Sequence, residues 1–578
     1  MSWLFGIIGK YSPSDIKKFE SIHGNPIHKI QSNNIYIVAG GIKETCLCSN
    51  DLKPSSQNKG WLVCGMGITN HGHQFAMMTA TSWQKVLSEN PPSLHQLNGH
   101  FAVIRWTENK INCYTDQLGF RNIFFTQTGN YSAFSTRPDW IAKLSDDCQI
   151  NFEEFGSRWL LVNQLSHESI LTNTRRLTQA GLAECTPSSI SVKNHPWESH
   201  LAFDMPNIDF SEALRNLVLF PLQENSRLSL ALSGGLDSRV LLSILLSSNF
   251  KNWSLHTIGK PDDPDVLIAE QISKDLEADH QFFQSSIPPP EESVRFIYDY
   301  VGQTMARMPV SQFLKFRYYS ALHNQKKIVI DGGQGEIIRR EFFNRLLFYG
   351  KKILLKGNIE EIYPFIYRHR ASIFNSEILQ IMKNRVLNQI RGLRENLPPV
   401  EEIGLEHWLD LFIIRTGFPN TTNLEQSRSD SEFINYMPFA QPSLLRKLFD
   451  IPVNERNNGK IFLKIIKQNH KKLAKYKRVK NGIMLPFDLS TLSSRIFISA
   501  KKKLGQSYSD STPIQLLESI SDFVQDTVHS TAVKKFEYYD YPQILRIVNE
   551  FYNGNKKLAD ELDWWLAFEI WRQIVYGK

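Results

Sequence analysis

The stretch Leu228-Ser229-Leu230-Ala231-Leu232-Ser233-Gly234-Gly235-Leu236-Asp237-Ser238-Arg239 decides how this chain is read. An apolar run ends in two glycines, and a helix-like pattern follows from Arg239 to Leu246. A buried strand that stops at paired glycines lets backbone N–H groups approach an anion closely. The helix behind it adds the positive end of its dipole. Ser233 and Ser238 supply hydroxyls, and Asp237 supplies a carboxylate able to hold Mg2+ against phosphate oxygens. No Gly-Lys-Ser/Thr closes the turn, so it is not the usual P-loop. A strand, a Gly-Gly turn and a helix also occur in α/β proteins that bind no nucleotide, so the rest of the chain has to agree.

With 578 residues the chain exceeds what one core organises, and two or more domains are expected. Hydrophobic content of 42% and aromatic content of 12% exclude a disordered or fibrous chain. The balance of 66 basic against 58 acidic residues gives +8, a mild excess that suits a local basic site better than a nucleic-acid-coating surface. Cys46, Cys48, Cys64, Cys113, Cys148 and Cys185 make no CxxC pair or zinc spacing and read as reduced and structural. The segment Met1 to Gly9 has no basic leader, and no apolar run approaches the length of a membrane span. The expectation is a cytoplasmic enzyme with no membrane partner.

Residues 1–195 read as short strands, among them Asn34 to Ala39, Gly60 to Ile68, Phe101 to Trp106, Ile111 to Thr115, Ile123 to Gln127 and Ser132 to Ser135. A polar, Pro-containing stretch around 196–210 marks a boundary, and a second domain spans 211–578. From Arg227 strands alternate with helices, which implies a parallel sheet with ligands at the carboxyl ends of its strands. Beyond residue 340 the pattern is mostly helical and closes with an aromatic helix over 563–575.

Three further segments point toward the same site. Leu255-His256-Thr257-Ile258-Gly259 reads as the flanking strand, whose backbone at Ile258 and Gly259 can meet an adenine edge; Asp265 after it is either a helix N-terminal carboxylate or a substrate group. Ile328-Val329-Ile330-Asp331-Gly332-Gly333-Gln334-Gly335-Glu336 is a second glycine turn behind a buried strand, and its Glu336 can share Mg2+ with Asp237. Arg478-Val479-Lys480-Asn481-Gly482 ends a run from Lys464 that holds no acidic residue. Such a run is a solvated basic face by default, yet a lysine aimed at the α-phosphate would stabilise an acyl-adenylate transition state.

Taken together, SGGLDS at 233–238, GGQGE at 332–336 and RVKNG at 478–482 resemble the asparagine synthetase B superfamily, whose synthetase domain carries the PP-loop of ATP pyrophosphatases. Leu97-Asn98-Gly99-His100-Phe101-Ala102 and Asp116-Gln117-Leu118-Gly119-Phe120-Arg121 look like motifs of that family's glutamine-amidotransferase domain. The resemblance implies an α/β fold: an N-terminal Ntn-type αββα sheet-rich domain, then a doubly wound parallel-sheet domain of the adenine nucleotide alpha hydrolase type with a helical C-terminal part. It implies ATP and Mg2+ as cofactors. Ser233, Gly234, Gly235, Asp237, Ser238, Ile258, Gly259, Gly332 and Gly333 would bind ATP or pyrophosphate, and Asp237 with Glu336 the metal. Lys480 matches the family lysine that contacts phosphates or intermediate. Glu425 lies near a catalytic carboxylate of some members; a surface glutamate is the equal alternative.

The departures carry as much. Glutamine-hydrolysing members place a nucleophilic cysteine directly before Gly-Ile; here Phe5 precedes Gly6-Ile7, and Ser2 is three residues out of position. The first domain is expected to have lost glutaminase activity. That leaves an amide ligase whose amine arrives with the substrate, as in β-lactam synthetases and lasso-peptide cyclases. Gly333 stands where the former carry a tyrosine, and GGQGEIIRREF carries Arg339 and Arg340 in place of the LFGGY of true asparagine synthetases, so a β-lactam synthetase and a simple aspartate substrate are both disfavoured. A macrolactam-forming or other amine-ligating enzyme remains, acting on a small-molecule or peptide carboxylate and amine; for a lasso-peptide cyclisation the partners would be a precursor peptide and a leader-processing protease. An ammonia-using asparagine synthetase and a PP-loop tRNA-modifying enzyme are the alternatives.

Overall fold

The computed structural model describes residues 2–52, 59–71, 74–145, 147–198, 208–342, 345–356, 358–489, 491–506 and 508–577. The expected boundary falls largely outside them, since 199–207 is not described.

The amino-terminal part is built from two antiparallel sheets. One runs in the order Thr174–Leu177, Ile123–Gln127, Tyr131–Ser135, Trp3–Gly9, Ile35–Gly40, His28–Gln31. The other runs Ser189–Lys193, Leu182–Thr186, Lys110–Thr115, Asn98–Thr107, Gly60–His71, Cys46–Cys48. Alternation along each strand produces the layering. Leu4, Ile8, Ile35, Ile37, Leu62, Cys64, Ile104 and Cys113 meet between the sheets, while Phe5, Ile7, Tyr36 and Val38 turn to the opposite face and pack in a second core that includes Phe19 and Trp140. Trp61, Val63, Phe101 and Val103 face Trp83 and Leu87 of the helix Ala80–Ser88. The result is helix, sheet, sheet, helix. All six cysteines are free and buried, five of them between the sheets.

The second part holds a parallel sheet in the order His280–Gln284, Trp253–Gly259, Arg227–Ala231, Lys327–Ile330, Asn435–Tyr436. The chain starts at the central strand, winds outward on one side, then returns to the other. The strand order therefore reverses between Arg227–Ala231 and Lys327–Ile330, and a crevice opens beyond their carboxyl ends at such a switch point. Two of these strands, His280–Gln284 and Asn435–Tyr436, are not legible as strands in the sequence: the first carries polar residues and the second is two residues long. Helices follow to the aromatic helix Ala559–Tyr576, whose Trp564, Trp565, Phe568 and Trp571 are buried. No described helix is long and apolar enough to cross a membrane.

The two parts meet through the residues that looked like amidotransferase motifs. The Gly99 amide donates to Gln441 (2.8 Å), and Asn98 accepts from the Ser443 amide (2.9 Å). Arg121 and His100 both reach the buried Asp430 (3.2 and 3.3 Å), and Arg446 donates to Gln117 (2.8 Å). These polar groups are spent on contacts with the second part of the chain.

Candidate nucleotide and acyl-transfer site

The turn Ser233–Ser238 and the turn Asp331–Glu336 lie at the carboxyl ends of the two adjacent strands that flank the switch point. Their backbones touch. A Cβ on Gly332 would stand 2.7 Å from the Asp237 Cβ and 2.9 Å from the Ser238 nitrogen, and one on Gly335 would stand 2.6 Å from the Asp237 Cγ. Glycine is required at both because of this close approach. Gln334 takes the left-handed conformation (φ 69°), a cost of about 1–2 kcal/mol for a residue with a Cβ, and its side chain donates to Thr422 (2.6 Å).

The first turn is internally braced, which corrects part of the sequence reading. The Gly234 amide donates to Asp265 (2.8 Å), that of Ser233 to the Ser238 hydroxyl (3.1 Å), and that of Gly235 to the Ser233 hydroxyl (3.2 Å). These donors shape the loop and do not face an anion. Asp265, in the first turn of the helix Pro264–Asp275, is the acceptor that braces Gly234. No side chain caps the helix Leu236–Leu246, so its positive end faces the crevice.

Lys480 is brought in by the hairpin Arg478–Lys480 and Ile483–Leu485. The Val479 amide donates to the Gly234 carbonyl (2.8 Å), and a Cβ on Gly234 would strike the Val479 side chain at 2.3 Å. Arg239 latches this segment. Fully buried, it donates to the carbonyls of Gly234 (3.1 Å), Tyr476 (3.0 Å) and Lys477 (2.8 Å). The sequence reading missed it; the arginine directly after the hexamer, inside an otherwise apolar helix, was the available signal.

Charge closes the crevice. Arg339 grips both oxygens of Asp237 (2.7 and 3.0 Å) and pairs with Glu341, which in turn holds the Lys480 ammonium at 2.9 Å. Burial, with Arg339, Arg478 and Arg495 nearby, pushes Lys480 down to about 8, while Asp237 and the Glu341 ion pair pull the other way. Burial and then the neighbouring Asp237 charge push the Glu336 carboxyl up. Asp237 and Glu336 thus share one space, as a Mg2+–nucleotide complex needs, since Mg2+ takes one or two protein carboxylates beside phosphates. The expected metal pair is corrected in one respect: Asp237 is engaged by Arg339. Among the described residues no three His, Cys, Asp or Glu groups form a cage for a metal alone.

Arg340 is not a site residue; it and Arg456 bind the buried Asp410 at 2.5 Å each. Ile258 and Gly259 line a notch of about 90 Å³ with Lys260, Asp263 and Tyr508, well below a small-molecule pocket. The Gly259 carbonyl already accepts from the Ser285 amide (2.8 Å). Glu425 is not a surface glutamate: burial raises its carboxyl, and it accepts a hydrogen bond from the Tyr300 hydroxyl. It lies one turn along the helix from Thr422, the partner of Gln334. Tyr300, inside the helix Pro290–Thr304, carried no sequence signal.

Phe5 occupies the place before Gly6-Ile7 and is fully buried mid-strand between Val38 and Ser135. Ser2 is 1% exposed, with its hydroxyl on the Thr45 carbonyl and its own carbonyl on Arg121. A cleft of about 1100 Å³ lies away from the two glycine turns, where Arg137 pairs with Asp139 and Arg572 with Glu569.

No family model and no curated protein matches this chain. Among solved structures it is similar to the allosteric regulatory enzyme of purine biosynthesis, at 9% identity over 50% of this chain and 81% of that one, with a TM-score of 0.23. It is similar to glutamine phosphoribosylpyrophosphate amidotransferase from B. subtilis, at 10% identity over 49% and 66% of the two chains (TM-score 0.22). A third likeness is to glutamine-dependent NAD+ synthetase from Acinetobacter baumannii, at 14% identity over 31% and 38% (TM-score 0.18).

Proposed function

We propose that the chain is an ATP-dependent ligase that adenylates a substrate carboxylate, releases pyrophosphate, and passes the acyl group to a substrate amine with release of AMP, without hydrolysing glutamine. The observation that carries this reading is the convergence of three distant segments: both glycine turns pack on Asp237, and the Gly234–Val479 hydrogen bond sets Lys480 beside them.

In this reading the uncapped helix end at Leu236 receives phosphate oxygens. Asp237 and Glu336 would hold Mg2+, which shields phosphate charge as the carboxylate oxygen bonds to the α-phosphorus and pyrophosphate leaves. Arg339 and Lys480 exchange their bonds to Asp237 and Glu341 for phosphate oxygens, so that the closed network opens toward nucleotide. Lys480 then stabilises the negative charge that builds up on the adenylate as the amine attacks. Glu425, hydrogen-bonded to Tyr300, accepts the amine proton as the amide forms and AMP departs. Phe5 in place of a thiol supports an amine delivered by the substrate, a peptide amine closing a macrolactam being the preferred case.

The test is incubation with ATP, Mg2+ and candidate acids whose carboxylate oxygens carry 18O. Labelled AMP and free pyrophosphate, both lost in Asp237→Ala, are expected. ADP with inorganic phosphate would reject the reading. Asparagine formed from aspartate and ammonium would replace the peptide amine by ammonia.

A further inference from the structure

The helix Phe152–Leu160 ends in a knot of four arginines, none of which forms an ion pair with a carboxylate among the described residues. Arg158 donates to the Met305 carbonyl (3.3 Å) and to Gln164 (3.1 Å). Arg307 donates to the carbonyls of Asn420 (3.2 Å) and Val162 (3.1 Å). Arg370 donates to those of Leu161 (2.9 Å) and Trp159 and lies over the Trp564 ring. Arg176 donates to the carbonyls of His167 and Ser166 and to the Asn420 amide oxygen. All four are at most 3% exposed. Every hydrogen-bond partner is neutral, and one guanidinium nitrogen each on Arg158 (Nε), Arg307 (Nη1) and Arg370 (Nη2) has no acceptor among the described residues.

Other buried arginines differ: Arg121 pairs with Asp430, and Arg340 and Arg456 with Asp410, while Arg239 stands alone on backbone carbonyls. The carbonyls at the end of the helix supply about half a negative charge, against four guanidinium groups. Burial, then mutual repulsion, pushes Arg158 and Arg370 well down, and burial takes Arg176 and Arg307 to about 10. Asp560 toward Arg370, Glu425 toward Arg307, and Glu168 and Glu154 toward Arg176 offset only part of this. Uncompensated buried charge is expensive, and orphaned buried donors are a recurrent sign of a bound ion. Beside the knot lies a cavity of about 340 Å³, lined by Arg370 together with Arg368, His369, Trp159 and Ser372, and by one acidic residue, Asp540, whose carboxylate accepts from the Gln543 amide (3.1 Å). That volume is at the small end of metabolite sites.

We propose that this cavity binds a compact multivalent oxyanion, a phosphate or a small dicarboxylate, through Arg368 and Arg370, with Arg158 and Arg307 supplying charge behind them. The site is separate from the nucleotide crevice and does not depend on the reading given above for it. The experiment is calorimetric titration of the full chain with inorganic phosphate and, separately, with succinate, at constant ionic strength and with chloride as control. Saturable binding of at least one of the two is expected, weakened tenfold or more in Arg368→Gln and Arg370→Gln and unchanged in Lys480→Met. Phosphate binding alone would assign the site to phosphate, and succinate binding alone to a dicarboxylate. Arg368 is exposed, so Arg368→Gln tests the site even where Arg370→Gln misfolds. No saturable binding of either anion, or binding indifferent to Arg368→Gln, overturns the proposal.

Discussion

Replacing Arg239 by methionine should unlatch the Lys480 hairpin while leaving both cores intact. Methionine retains the buried apolar stem but loses three hydrogen bonds to the carbonyls of Gly234, Tyr476 and Lys477. Bonds from a charged donor contribute about 1.5–3 kcal/mol each. Against that loss, burial has pushed the guanidinium from its usual 12.5 to about 10, and removing it returns about 3 kcal/mol of desolvation at 1.36 kcal/mol per unit. A net cost of about 1–6 kcal/mol remains, and the segment around 471–489 can meet it by opening locally, since water then solvates Tyr476 and Lys477. At 1.4 kcal/mol per tenfold, ATP affinity should fall by about fivefold at the least and about ten-thousandfold at the most if Lys480 and Val479 must be in place. Hydrogen exchange at the Val479 amide reads the latch directly, and calorimetry reads ATP. An amide as protected as in the parent, with affinity within threefold, would refute the reasoning.

Lys480 has a folded pKa of about 8 against an unfolded 10.5, so the folded state holds fewer protons between these values and stability should rise with pH across that window. ATP binding should fall over the same rise as the ammonium is lost, and Lys480→Met should flatten both profiles. Gly335→Ala puts a methyl group 2.6 Å from the Asp237 Cγ and should abolish ATP binding with an unchanged circular dichroism spectrum. Glu425→Gln keeps a partner for Tyr300 but removes the proton acceptor, so ATP–pyrophosphate exchange should persist while amide formation drops at least a hundredfold. Asp410→Asn leaves Arg340 and Arg456 without their shared charge at a fully buried site and should cost about 3–5 kcal/mol in urea unfolding.

What the sequence determined by itself is the local chemistry. Apolar runs closed by Gly-Gly fix where buried strands end, because only glycine tolerates the close backbone approach found at Gly332 and Gly335, and alternation in Ile123–Gln127 and Asn98–Thr107 sets the two faces of the antiparallel sheets. Phe5 before Gly6-Ile7 was equally legible, since a missing thiol needs no coordinates. Tertiary structure alone decided which partners those groups find. Asp265 braces Gly234, Arg339 takes the carboxylate expected to be free for a metal, Tyr300 meets Glu425 across 125 positions, and Arg239 holds a hairpin more than 230 residues away. Periodicity and glycine spacing report only on neighbours a few residues apart. Long-range hydrogen bonds and ion pairs leave no such period, so the same Arg or Glu reads as a solvated surface residue until the sheet order places it at the switch point.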